Sequence, residues 1–365
     1  MSVKVSYCPV DRIRELMAFI GRDWKHDHIF SRDEKLLRWQ HRHRSDPKLL
    51  SVLLADDDDG PVGMLGVIHT DFCHRGERVP SGWLAHWFTK PGARGAPGLK
   101  LMRAAMSGEN AVLGTARFVE TPEQVYRGLG FHVIDAIGRW VARVDKNAFE
   151  SLLSAADQAF PDGFDAGSLS AATPDGKIRV EPWEAVGDDL WDRTWEAVFA
   201  PGFHGACRDS AFLRWRYLEH PRWTYRVWAA HNGADATPRG IAVFRIERIP
   251  GREQTVFRIL ELLFSDPRSG AALARALTTE ARAQGCAFAD FYNTRSASAA
   301  PLEALGFVRE TTLERPLPAL FQPLDFRAHP INAAFWTRGR DDAAQRYADP
   351  DLYMTRVEGD QDRPS

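Results

Sequence analysis

No stretch of the chain approaches the roughly 20 uninterrupted apolar residues that a membrane-spanning helix needs. The opening MSVKVSYCPVDRIREL has no basic segment leading into an apolar one. No membrane partner is expected, and the expected location is the cytoplasm. Cysteine is scarce. Cys8, Cys73, Cys207 and Cys286 stand far apart, form no CxxC and have no histidine at ligand spacing, which argues against a disulfide framework and against a metal site. Four buried or incidental thiols are the expectation. An excess of charge is also missing: 47 Lys and Arg against 49 Asp and Glu give a net charge of −2. Nucleic acid, which demands a basic face, is therefore excluded as a partner. The one run of like charge, the aspartates at 56–59, precedes Gly60 and Pro61 between apolar segments and reads as a hairpin turn.

What is present suits two globular units. A length of 365 residues with 44% hydrophobic and 26% charged residues exceeds one ordinary core. The first half reads as a strand at 3–7, a helix at 11–20 with Asp11 as a candidate N-cap, a helix at 33–40, and the strands SVLLA and VGMLGVIHT. A strand at 82–88, the loop TKPGARGAPG, a helix at 99–106, a strand at 111–115, a helix at 122–129 and a strand at 131–144 complete it. From 154 to 176 the composition turns to Ala, Asp, Gly, Ser and Pro without periodicity, marking a connection. The pattern then restarts, and Gly128-Leu129-Gly130-Phe131 is echoed by Ala304-Leu305-Gly306-Phe307. Internal duplication follows. The expected organisation is a mixed α/β (α+β) fold in two tandem units at 1–150 and 177–330, joined by 151–176 and followed by an extension at 331–365.

The loop after the strand at 82–88 interleaves Pro91, Gly92, Gly95, Pro97 and Gly98 and opens at once into a helix. Such a turn presents backbone N–H groups at the positive end of a helix, where a pyrophosphate binds. Together with VYRGLGF, the segment WLAHWFTKPGARGAPGLKLM resembles the fourth strand, pyrophosphate loop and following helices of the GNAT superfamily of acyl-CoA-dependent N-acyltransferases. The loop departs from the family pattern, because counting from Arg94 puts Pro97 and Leu99 where glycines are expected. The resemblance implies an acyl-CoA co-substrate held by Phe88, Ala93, Arg94, Gly95, Ala96, Gly98 and Leu99 in the first half.

Acyl transfer to an amine requires a base for the amine, a stabilised oxyanion and an acid for the leaving thiolate. Tyr126, five residues before Phe131, stands where many GNAT relatives carry a tyrosine acid, and a buried packing tyrosine is the alternative. His86, five residues before Pro91, stands where relatives carry an acidic base. An imidazole with a reference pKa of about 6.5 suits that task. Strand alternation groups His86 with Leu84 and Phe88, so a half-buried sheet histidine remains open. The second half has SDPRSGAAL in place of the glycine loop and Leu302 in place of Tyr126, so it reads as a degenerate copy.

DWKHDHIFSRDEKLLRWQH, DSAFLRWRYLEHPRWTYRVW and EGDQDRP are similar to segments of two-domain GNAT enzymes that acylate nucleotide-linked amino-deoxysugars for surface polysaccharide. That resemblance implies a nucleotide-linked amino sugar as the second substrate, with Trp24, His28, Trp39, Arg216 and Tyr217 as aromatic and cationic contacts. Taken singly, each of these reads more as a packing residue than as a contact, and the terminal Asp360, Asp362 and Arg363 are expected to fray. Rival readings are a tandem peptidyltransferase using aminoacyl-tRNA and a non-catalytic binding module. Monomer and homodimer stay open.

Overall fold

Runs of alternating and continuous apolar residues pair into two mixed sheets with helices packed against them. The computed structural model describes residues 2–118, 120–154, 167–169, 178–232, 235, 237–321, 324–327, 330–339, 347, 348 and 350–362. The chain begins with β1 (Lys4–Pro9), α1 (Ile13–Phe19), α2 (Glu34–Gln40), β2 (Leu49–Asp57), β3 (Gly60–His74) and β4 (Glu77–Thr89). Next come α3 (Pro97–Ser107), β5 (Val112–Ala116), α4 (Glu120–Gly128), β6 (His132–Ile134), β7 (Gly138–Arg143) and α5 (Lys146–Ser154). The second half supplies β8 (Ile178–Pro182), α6 (Asp188–Thr194), β9 (His204–Ala206), α7 (Ser210–Leu213), β10 (Arg226–Asn232), β11 (Pro238–Arg248) and β12 (Thr255–Phe264). It continues with α8 (Pro267–Ala283), β13 (Phe288–Asn293), α9 (Ser296–Glu303) and β14 (Val308–Arg309). The short strands β15 (Leu320–Phe321), β16 (Leu324–Asp325), β17 (Ala333–Thr337) and β18 (Leu352–Tyr353) follow.

The first sheet runs β1-β2-β3-β4-β5-β17-β6, and the second runs β14-β7-β13-β12-β11-β10-β8. Both repeat one plan. An antiparallel hairpin (β3-β4, β11-β12) leads through a crossover helix (α3, α8) to a parallel neighbour (β5, β13). The aspartate run turns between β2 and β3 as expected, with the Asp59 amide donating to Asp57 at 2.9 Å. The strand expected at 131–144 divides instead. Its first part, β6, stays in the first sheet, whereas β7 joins β13 and β14 in the second. In return β17, from the far end of the chain, fills the first sheet between β5 and β6. Most of the expected connection, 155–166 and 170–177, lies outside the described residues.

Three further expectations are corrected. Asp11 is not a cap: it sits in a 3-10 turn, and α1 starts after Arg12 without a side-chain cap. Cys73 and Cys207 are joined in a disulfide between β3 and the segment after β9, because β9 pairs with the end of β3 and brings the two Cα atoms to 5.5 Å. Only Cys8 and Cys286 are free thiols, both buried. Finally, the tail does not fray. Glu358 and Asp362 are buried, paired with Arg208 and with Arg245, while Arg363 lies outside the described residues. Buried carboxylates and guanidiniums persist only when paired, so these contacts fix the tail in one position.

Candidate active site

The local geometry of β4 sets the site. Against β3, Met64 pairs with Phe88 and Gly66 with Ala85, so His86 and Trp87 together oppose Leu65. This is a β-bulge, and His86 takes a φ of 57°, in the left-handed region that residues with a Cβ seldom adopt. One inserted residue resets the alternation beyond it. Of the grouping expected from strand alternation, His86 keeps Phe88, both against Trp24, but loses Leu84. Trp87 now packs with Leu84 beside Tyr126, their rings 5.8 Å apart, while His86 turns to the opposite side with Trp24, His28, Phe30 and His41 at ring separations of 5.0–5.7 Å. Gly66 is required at the bulge, since a Cβ there would lie 2.5 Å from His41 Cε1.

Beyond the bulge the sheet forks. Pairing of β4 with β5 runs from Ser81↔Val112 to Leu84↔Thr115 and ends, although β4 continues to Thr89. Thr115 Oγ1 donates to the Leu84 carbonyl at 3.3 Å at this point. Tyr126, 3% exposed, hydrogen-bonds to the same Thr115; burial raises its phenol above the ordinary value and that bond partly opposes the rise. The phenol thus stays protonated where the strands part.

The loop from the fork to α3 turns through positive φ at Gly92, Gly95 and Ala96. Pro97 begins the helix and no side chain caps it. The first-turn amides of α3, those of Gly98 and Leu99 among them, have no partner earlier in the helix. In α8 the equivalent position is filled: Asp266 accepts from the amides of Arg268 and Ser269, both at 3.0 Å. The first helix start has no side-chain cap, whereas a carboxylate already occupies the second. Arg94, Gly95, Ala96 and Leu99 are exposed around this opening, with Ala93 and Gly98 half-buried. Phe88 lies elsewhere, on Phe19 and Trp24 on the His86 side.

On that side the tail closes the site. His86 Nε2 is 3.6 Å from Asp360 Oδ2 and 3.3 Å from Gln40 Nε2, while the next residue, Gln361, donates to the Ala116 carbonyl at 3.2 Å. His41 is fully buried and its pKa is pushed down to about 4 by desolvation, so it is neutral near pH 7. Trp24 and His28 belong to this cluster. Trp39 and Arg216 stand one layer away, Trp39 in reciprocal hydrogen bonds with Trp215 and Arg216 donating to the Val357 carbonyl at 2.9 Å. Tyr217 is not brought to the cluster: it donates to Glu261 at 2.6 Å inside the buried Arg208 network. Sequence reasoning missed Gln40, His41 and the placement of Asp360, for which the EGDQDRP motif was the available signal.

His43, His69 and Glu109 place potential ligand atoms within 4.8 Å of one another. His43 Nδ1, however, accepts from the amides of Ser45 and Asp46 at 3.4 and 3.2 Å, which leaves the ring proton on Nε2 and removes that atom as a metal donor.

No family model and no curated protein matches the chain. Solved structures do. A GCN5-related N-acetyltransferase from Anabaena variabilis shares 12% identity at a TM-score of 0.57, over 91% of this chain and 72% of that one. A GCN5-related N-acetyltransferase from Kribbella flavida gives 16% and 0.56, over 92% and 72%. Saccharomyces cerevisiae N-myristoyltransferase, solved with bound myristoyl-CoA, gives 10% and 0.51, over 92% and 82%. The fold is therefore the GNAT fold, extended over most of the chain. No helix among the described residues is long and apolar enough to cross a membrane.

Proposed function

We propose that the chain is an acyl-CoA-dependent N-acyltransferase whose acceptor is the amine of a nucleotide-linked amino-deoxysugar. The observation that carries the first part is the bulge at His86 where β4 and β5 part, followed by an uncapped helix start. The fork gives a thin acyl-pantetheine arm an edge of unpaired β4 backbone, and the α3 amides take the pyrophosphate. The second half, its helix start occupied by Asp266, does not bind the donor. We assign 1–150 as the donor-binding unit, 151–176 as connection, 177–330 as the degenerate copy and 331–365 as the extension that completes the site. The cytoplasm is the proposed location.

His86 accepts the amine's proton as nitrogen attacks the thioester carbon, and Asp360 steadies the imidazolium that results. The developing oxyanion needs a hydrogen-bond donor, which the unpaired β4 backbone past the bulge would supply. As the C–S bond breaks, Tyr126 gives its proton to the departing sulfur. Trp24 and His28 line the acceptor's approach, with Trp39 and Arg216 behind them. The sugar identity rests on the resemblance of the three segments quoted above. Steady-state kinetics with acetyl-CoA and a nucleotide-linked amino sugar tests the reading: Tyr126→Phe should lower kcat by roughly 10- to 10⁴-fold with CoA affinity unchanged. Full turnover in the variant removes Tyr126 from the mechanism. Binding of CoA without any turnover by the native chain would favour the binding-module reading.

A further inference from the structure

A cleft of about 290 Å³ opens between the halves, where the loop after α2 and strands β3 and β4 face the segment entering α7. Arg42, His43, His69, Phe212 and Trp215 line it. Its other arginines are already neutralised: Arg44 pairs with Asp71 at 2.5 Å, and Arg78 pairs with Asp71 and Asp209 at 2.7 and 2.6 Å. Arg42 differs. Its guanidinium lies 4.8 Å over the Trp215 ring, and no carboxylate among the described residues comes within ion-pair distance of it. Although the residue is exposed overall, partial desolvation of the guanidinium disfavours its charge, so a ligand anion beside it relieves an existing cost.

Two imidazoles specify what else the ligand carries. The His69 side chain is 5% exposed, and its Nδ1 meets Asn110 Oδ1 at 3.3 Å, which puts the proton on Nδ1 and leaves Nε2 a lone pair with no hydrogen-bond partner. Glu109 Oε1, another acceptor, is 3.8 Å from that nitrogen. His43 presents the reverse, an Nε2–H without a partner. Buried polar atoms of this kind are costly unless satisfied. The lining therefore offers one unpaired cation, one donor and one acceptor, with the Glu109 carboxylate behind that acceptor, which together match a phosphate ester that also carries hydroxyl groups.

The cleft also borders the tail. Thr70, Phe212 and Trp215 are shared with a small cavity of about 10 Å³ that continues along Trp83 and Arg216 to Gly359, the neighbour of Asp360. We propose that this cleft seats the phosphate-bearing end of the acceptor, a hydroxylated phosphate ester, with Arg42 on the phosphate and His43 and His69 on the hydroxyls. That the ester belongs to the acceptor rests on the acyl-transfer reading.

Isothermal titration of the full chain without acyl donor tests it, with glucosamine 1-phosphate, uridine diphosphate, inorganic phosphate and free glucosamine as probes. A phosphate ester should bind, and Arg42→Gln should weaken it at least tenfold, with partial recovery in Arg42→Lys. Arg42 is exposed, so the variants should fold, and His43→Ala gives an independent loss. Tighter binding of glucosamine 1-phosphate than of uridine diphosphate identifies a sugar phosphate as the seated group, and the reverse order a nucleoside diphosphate. The proposal is overturned if neither ester binds, if free glucosamine binds as well as its phosphate, or if Arg42→Gln binds as the native chain does. CoA is titrated separately and should be insensitive to Arg42→Gln. Ester binding without CoA binding would sink the acyltransferase reading alone, and CoA binding without ester binding the cleft alone.

Discussion

Replacing Asp362 by Asn tests whether the tail is a built part of the site. The carboxylate is fully buried, accepts from Tyr225 at 2.7 Å and from Arg245 at 2.9 Å, and its pKa is held far down mainly by Arg245. Breaking a buried pair by removing one partner costs about 3–5 kcal/mol. Here Arg245 keeps Glu247 at 2.8 Å, and Asn still accepts from Tyr225, so the low end, about 3 kcal/mol, applies. At about 2–4 °C per kcal/mol, Tm should fall by roughly 6–12 °C in a thermal scan at pH 7. Asp58→Asn, on the exposed turn, should leave it unchanged. Because Asp360 lies two residues upstream at His86, kcat should fall as well, with KM for the acyl donor preserved. A Tm shift within about 1 °C together with native kcat would refute the claim that this ion pair positions the tail.

Two more outcomes follow from buried groups. Desolvation pushes His41 to about 4, His69 to about 3 and His220 to about 3, whereas an unfolded imidazole titrates near 6.5, so the unfolded chain binds more protons below that pH. Their contribution is complete above about 6.5 and is lost as the pH falls towards 4, at up to about 1.4 kcal/mol per pH unit per histidine; urea titrations giving equal stability at pH 7 and pH 5 would contradict this. Thiol titration of the denatured chain should find two free thiols without reductant and four with it, and reduction should lower Tm because the Cys73–Cys207 bridge spans 134 residues, a closure worth at most about 5 kcal/mol. Four thiols without reductant would remove the bridge.

The sequence was legible where physics is local. Apolar alternation marked most strands, the helix read at 33–40 formed with Asp33 as its N-cap, and the loop entering α3 was visible in its glycines and prolines. What alternation could not carry was the bulge: nothing in WLAHWFT announces that His86 and Trp87 share one partner, and without it His86 falls on the wrong face. The strand at 131–144 read as continuous because period two says nothing about which sheet receives each end. The disulfide and the buried tail escaped because both depend on contacts between residues remote in sequence, where spacing holds no information. Arg42, His43 and His69 belong to no motif and become a site only when the second half brings Trp215 against them.

The exchange of strands between the sheets bears on how the chain is made. β5 borders the fork, yet its other edge waits for β17, which leaves the ribosome long after β5 does. A strand edge left open through most of synthesis invites pairing with the wrong neighbour. The first sheet therefore cannot reach its final form domain by domain, and the residues around His86 assemble only after Asp360 has been added. A nascent or truncated chain ending before β17 should carry the glycine loop but no assembled site, so activity appears only once β17 and Asp360 have been added.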